Sequence, residues 1–235
     1  MTIIALAGPS LPEADRRQWP GIEWRPPAEA GDLLRLEADE GSSVCLIDGY
    51  FDHRPAVRHK EILLQLSRGV RIFGASSIGA LRAAEMRGFG MIGVGAIFAA
   101  YVRGTIAGDD EVALIHAGAD RDWRPLSLPL VDVRATLCRA RRRGTAGRAE
   151  ARALLDAAAS IHYVDRDWQS VCARAECPAF QARLEDGAVS QKHEDAVACL
   201  RAATEWDDAG AARPELVRTC FLDALARECG VAMPG

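Results

Sequence analysis

Val70-Arg71-Ile72-Phe73-Gly74-Ala75-Ser76-Ser77-Ile78-Gly79-Ala80-Leu81-Arg82 is the stretch on which the fold reading turns. A short apolar run passes through small residues into a helical pattern that continues to Met86, which is strand, turn and helix in succession. Upstream, Gly69 ends a helical segment over Pro55–Ser67, with Val57, Ile62, Leu63 and Leu66 near helical spacing. Before it, Ser43–Asp48 reads as a buried strand, and Ala28–Glu40 as a helix after Pro26-Pro27. Thr2–Ala7 is the first strand, stopped by Gly8-Pro9-Ser10. This β-α-β-α order predicts an α/β fold, a parallel-sheet core with right-handed crossover helices. Downstream, Gly88, Gly90, Gly93 and Gly95 interrupt an apolar stretch read as helix to Tyr101, and Glu111–His116 and Leu126–Leu130 read as further strands. From Asp132 the pattern is helical, through Ala159 and then over Asp165–Glu176, Ser190–Ala203 and Pro214–Glu228. The expected organisation is an α/β core over residues 1–131 carrying the site, with a helical C-terminal extension over 132–235 packed on it.

Composition narrows the function. The chain has 235 residues, 49% of them hydrophobic, which is enough to bury a core without disulfides or metals. The net charge is -4, so the basic excess of a nucleic-acid binder is missing. Arg139-Ala140-Arg141-Arg142-Arg143, followed by Arg148 and Arg152, is the local exception. It reads either as a solvated helix end or as a docking patch for an acidic protein partner. The apolar Met1–Ala7 is short and lacks a basic flank, and Met91–Tyr101 is roughly half a membrane span, so a cytoplasmic protein off the membrane is expected. The seven cysteines are odd in number and contain no C-x-x-C pair, which argues for reduced thiols and against a structural zinc site. Cys45 as a sulfur carrier is the one functional alternative among them.

The chemistry concentrates at the same turn. Ala75-x-Ser77-x-Gly79 has the spacing of a nucleophile elbow, with alanine in place of the first glycine. Ser77, or its neighbour Ser76, would stand at the carboxyl end of the sheet, with the Ile78 N–H placed to hold an oxyanion. An ordinary helix N-cap and a cradle for phosphate or carboxylate remain open for the same residues. A serine hydroxyl needs a base. His53, His59 and His116 are available, and so is Lys60 if burial lowers its pKa. Of the 29 Lys+Arg residues only Lys60 and Lys192 are lysines, so a retained lysine marks a place where arginine cannot serve. A surface lysine paired with Glu61 is the other reading of Lys60. Asp109-Asp110-Glu111 with His116 can hold a hard cation, neutralise a side chain such as Arg82, or form a solvated turn. Asp48 ends a buried strand, at the sheet edge that Ser77 would also occupy.

At these residues the sequence resembles the TfuA-like family. The resemblance is carried by Gly8-Pro9-Ser10-Leu11, Pro26-Pro27-Ala28 with Gly31-Asp32, Ile47-Asp48-Gly49-Tyr50-Phe51, His59-Lys60-Glu61-Ile62-Leu63, and Gly74 through Glu85. Gly90 through Gly95, Asp109-Asp110-Glu111-Val112 with His116, and Lys192 with Asp195-Ala196 complete it. Ile78 stands where the family pattern has methionine. The resemblance implies a partner of a YcaO-type enzyme in ATP-driven peptide backbone thioamidation. It implies hydrolysis of a thiocarboxylated, ubiquitin-like sulfur-carrier protein, with release of sulfide by a Ser-Lys pair and no cofactor of the chain's own. Lys60 is the lysine expected in that pair, because Lys192 lies far along the chain. Ser77 is preferred to Ser76, and Gly79, Asp48, His59, Asp110, Glu111 and His116 are expected to support them. The alternative is a non-catalytic adaptor that tightens the YcaO enzyme's hold on its peptide.

Overall fold

The computed structural model describes residues 2–50, 54–207 and 213–232. Five strands form one sheet: β1 (Ile3–Leu6), β2 (Ile22–Arg25), β3 (Ser43–Leu46), β4 (Arg71–Gly74) and β5 (Ile92–Gly93). Their order is β2-β1-β3-β4-β5, and every pairing is parallel. The crossovers carry α1 (Glu13–Arg16), α2 (Asp32–Arg35), α3 (His59–Ser67) and α4 (Ile78–Met86), and α5 (Gly95–Val102) follows β5. From Leu130 the regular elements are helices: α6 (Leu130–Arg142), α7 (Arg148–Ala159), α8 (Trp168–Arg174), α9 (Gln181–Asp186), α10 (Gln191–Thr204) and α11 (Cys220–Glu228). The expected α/β class and parallel sheet are what the chain forms.

Strand alternation sorts the core into two layers. Ile4, Leu6, Val44, Leu46 and Ile72 face one side, where Leu33, Ile62, Leu66 and Ala83 cover them. Ala5, Cys45, Ile47, Phe73 and Ala75 face the other, where Ala196, Cys199, Leu200 and Ala203 of α10 cover them. A helix from the back of the chain therefore roofs the second face of a sheet built by the front. Helices α6 to α9 form a separate cluster around Leu137, Leu154, Trp168 and Leu184, and α11 packs Leu222 and Leu225 on Leu34 and Leu64.

Several local readings change. Ala28–Glu40 yields only the single turn α2, since Leu36 turns to an extended conformation after it. The half-exposed edge strand β2 carries no continuous apolar run to announce it. The stretch read as one helix to Tyr101 is the two-residue β5 followed by α5, divided at Gly95 with φ +96°. Glu111–His116 and Leu126–Leu130 find no strand partner beyond the single antiparallel bridge His116–Pro125, and α6 already begins at Leu130.

Strand β1 lies between β2 and β3, so the β1–β2 connection runs one way along the sheet and the connections from β2 onward run the other. The crevice above that reversal, beyond the carboxyl ends of β1 and β3, is where open parallel sheets take ligands. Helix α4 is pressed against this edge. A Cβ on Gly79 would lie 1.8 Å from the Leu46 carbonyl oxygen, with backbone on both sides of the clash. Gly79→Ala is therefore expected to lower the unfolding free energy by about 3 kcal/mol, visible as a depressed Tm. An unchanged Tm would show that α4 can lift off β3.

Candidate active site

The turn after β4 is tight. A Cβ on Gly74 would meet the Gly79 carbonyl at 2.3 Å, so the strand and helix can approach only through glycine. Ser77 N donates to the Ala75 carbonyl at 2.9 Å, and Ser76 between them is forced to φ +67°. A left-handed conformation costs a serine about 1–2 kcal/mol. Buried contacts hold it there. Ser76 Oγ donates to Ser10 Oγ at 2.8 Å, and Ser10 Oγ donates to Asp48 Oδ1 at 2.6 Å. Such strain is a recurrent feature of sites that aim a reactive group.

Ser77 occupies the N-cap position of α4, yet its side chain makes no capping bond. Its Oγ is instead 3.1 Å from Nζ of Lys192, which donates to it. The Ile78 N–H, at the first turn of α4, has no acceptor among the described residues. Gly49 packs directly on Ile78, where a Cβ would meet Ile78 Cγ2 at 2.6 Å. Ser77 opens onto a cavity of about 170 Å³, whose wall includes Asp48, Tyr50, Arg54, His116 and Tyr163.

Lys192 sits in the first turn of α10 and is 2% exposed. Its Nζ also donates to the Val112 carbonyl at 2.9 Å and lies 3.9 Å from Asp48 Oδ1. Burial pushes its pKa down, against the raising effect of the Asp48 and Asp132 charges. Asp48 in turn accepts from Gly8 N at 2.8 Å and Ser10 N at 2.9 Å, folding the loop after β1 over the loop after β3.

The register of α10 is fixed by two carboxylates. Asp195 accepts from Ala96 N at 3.0 Å and Ile97 N at 2.8 Å, capping α5 from outside. Gly95 makes room for it, since a Cβ there would lie 2.3 Å from the Asp195 carboxyl carbon. Asp132 of α6 accepts from Lys192 N and Ser190 Oγ, both at 3.1 Å, and burial raises its pKa to about 6.

The expectation for Lys60 is corrected by this arrangement. Lys60 points along α3 toward the C-terminal segment, where its Nζ donates to the Val217 carbonyl at 3.4 Å, and it takes no part in the Ser77 cavity. The lysine beside Ser77 is Lys192, which the fold brings back across the sheet. His59 is likewise away from the cavity, bonded to Glu85 at 2.8 Å on the surface. Glu111 turns inward onto Arg134 in a two-pronged pair at 2.7 and 2.9 Å, while Asp110 is exposed, so neither lines the cavity. His116 does line it, with its Nδ1 2.8 Å from the Ala117 carbonyl oxygen and its ring against Tyr50. Cys45 is 0% exposed between the sheet and α10, in contact with Cys199, which leaves a sulfur relay at Cys45 no access to substrate. His53 and Phe51 lie outside the described residues.

Sequence reasoning passed over Ser10 as a functional residue and ranked Lys192 below Lys60. The signal for Lys192 was available. Lys192, Ala196, Cys199, Leu200 and Ala203 fall at helical spacing on one face, so this lysine shares the stripe that must be buried. A lone lysine in an apolar stripe is a desolvated lysine.

No curated protein matches the chain. The family model described as TfuA-like protein matches residues 48–167, a segment that begins at Asp48 and contains Ser76, Ser77 and Ile78. That match covers just over half of the 235 residues, and the chain belongs to the TfuA-like family.

Proposed function

We propose that this TfuA-like protein hydrolyses the C-terminal thiocarboxylate of a ubiquitin-like sulfur-carrier protein, releasing sulfide for a YcaO-type enzyme that thioamidates a peptide backbone. The observation that supports it is the 3.1 Å bond between a buried lysine and a serine on a strained turn. Burial disfavours the ammonium of a lysine and so favours the neutral amine that can act as a base, and serine becomes a nucleophile only beside one.

Neutral Lys192 takes the Ser77 hydroxyl proton as Oγ bonds to the thiocarboxylate carbon. The Ile78 N–H, free at the start of α4, donates to the oxyanion that forms. The C–S bond breaks, Lys192 returns the proton to the departing sulfur, and hydrosulfide leaves with an acyl ester on Ser77. Water then adds to the ester, giving its proton to Lys192, and the carrier's carboxylate departs as Ser77 Oγ is reprotonated. The Val112 carbonyl aims Nζ throughout, and Asp48 fixes the loop that carries Ser10 against the nucleophile turn. The narrow cavity suits a slender chain end, and Arg54, paired with Glu29 at 3.0 Å, stands in its wall.

Sulfide release from a thiocarboxylated carrier is the test. Ser77→Ala is expected to lower it by about 10³-fold with folding intact, and Lys60→Ala to leave it within about twofold. Ser76→Ala relaxes the strained turn without removing the nucleophile, so its loss is expected to be smaller, about tenfold. Undiminished release from Ser77→Ala would refute the hydrolase. Peptide thioamidation by that variant with chemically supplied sulfide, where wild type itself releases none from the carrier, would identify a non-catalytic adaptor.

A further inference from the structure

Helix α5 (Gly95-Ala96-Ile97-Phe98-Ala99-Ala100-Tyr101-Val102) is apolar on every side, a composition that belongs in a core. Yet only Ile97 of it is buried, and Val102 is 41% exposed. Beside it, α6 and the first turn of α10 close a groove of about 700 Å³, which shares no lining residue with the Ser77 cavity. The floor is small and apolar: Ala96, Ile97, Ala100, Ile106, Val131 and Ala135. The rim is mainly basic, with Glu194 the one acid in the lining and bonded to Gln191. Arg103, Arg139, Arg142 and Arg143 line it, and none has a carboxylate partner among the described residues. Arg134 is the exception, held by Glu111. Against a chain of net charge -4, this is a local excess of cations, four arginines without a carboxylate partner to one glutamate, around a shallow strip of alanines.

We propose that this groove is the docking site for an acidic amphipathic helix of a protein partner. Two helices side by side with alanines between them let a third helix approach closely, its apolar stripe at i, i+3, i+4 and i+7 meeting Ala96, Ala100 and Ala135, above the buried Ile97, Ile106 and Val131. Its flanking carboxylates would reach the arginine rim, and Arg is the side chain suited to hold them in pairs. A nucleotide fits the surface poorly. The lining contains no aromatic ring to stack a base, and the N–H groups at the start of α5 are already taken by Asp195. Covering α5 would bury the apolar surface that the isolated chain leaves in water.

The test uses the full chain and a fluorescent peptide about five turns long, with leucine at i, i+3, i+4 and i+7 and glutamate elsewhere. Fluorescence anisotropy should show saturable one-to-one binding. A proline-interrupted peptide of the same composition, and a version with lysine for glutamate, should each bind at least ~10-fold more weakly. Ala100→Trp, which fills the floor, and the triple variant Arg139→Gln, Arg142→Gln, Arg143→Gln, which empties the rim, should each weaken binding ~10-fold. Equal binding of the helical and proline-broken peptides would reduce the patch to undirected charge and overturn the proposal. Indifference to Ala100→Trp, displacement of the peptide by ATP, or filling of the groove by a second copy of the chain in sedimentation would each do so as well.

Discussion

Replacing Lys192 by methionine or by arginine is expected to lower sulfide release by about 10³-fold in both cases, within the range that loss of a general base costs. Methionine keeps the volume of the stem and removes the proton acceptor. Arginine keeps the charge, but it stays protonated in a protein and cannot accept the Ser77 proton. The slot between Ser77 Oγ and the Val112 carbonyl, at 3.1 and 2.9 Å, also fits an amine and crowds a planar guanidinium. A merely structural lysine would behave differently, with arginine milder than methionine. Retention of more than about a tenth of wild-type release by Lys192→Arg would remove Lys192 from the role of base.

The same lysine predicts how stability depends on pH. Its folded pKa lies below the ordinary 10.5 because burial disfavours the ammonium. Between the depressed value and 10.5 the unfolded chain binds more protons at this site than the folded one, so stability rises with pH across that window. Below the folded pKa both states are protonated, and the cost of burying the ammonium is present in full. Denaturant unfolding of wild type at successive pH values should show this rise, and Lys192→Met should lack it.

How much of this could be read from sequence depends on the reach of each signal. Strands β1, β3 and β4 lie inside the sheet with both faces covered, so their apolar runs are continuous and were legible. Ser77, Ile78 and Asp48 were legible because chemistry and local geometry coincide there, at the ends of two such strands. The edge strand β2 alternates only partly, and the two residues of β5 are too few to carry a pattern. Lys192 was misjudged because nearness along the chain stood in for nearness in space. Residues 77 and 192 meet only because α10 covers the far face of the sheet, and that follows from packing and not from any segment alone. The preference for Lys60 fails for the complementary reason: its neighbours in sequence belong to the opposite layer, where Ile62 and Leu66 face the α2–α4 side.

Asp48→Asn is expected to separate the two duties of this carboxylate. Oδ2 accepts two backbone N–H groups, from Gly8 and Ser10, while Oδ1 accepts the Ser10 hydroxyl and faces Lys192 at 3.9 Å. An asparagine can present its oxygen to the two N–H groups and its NH2 to Ser10, which must then turn its own proton toward Ser76. The loop keeps most of its bonds but loses their charge assistance, at a cost of about 2 kcal/mol in unfolding free energy. The larger consequence falls on the base. Asp48 is the first of the two charges that hold the Lys192 pKa up against burial. Without it the ammonium is less favoured, the pKa falls further, and release should persist to lower pH. The acid limb of the pH–rate profile is expected to move down by about one unit, while the plateau drops by no more than ~10-fold because a weaker base drives proton transfer less well. Ser10→Ala is the control, since it breaks the hydroxyl chain from Ser76 and leaves the charge, so its acid limb should stay in place. An acid limb that ignores Asp48→Asn would mean that the titrating group is not Lys192, whatever happens to the rate.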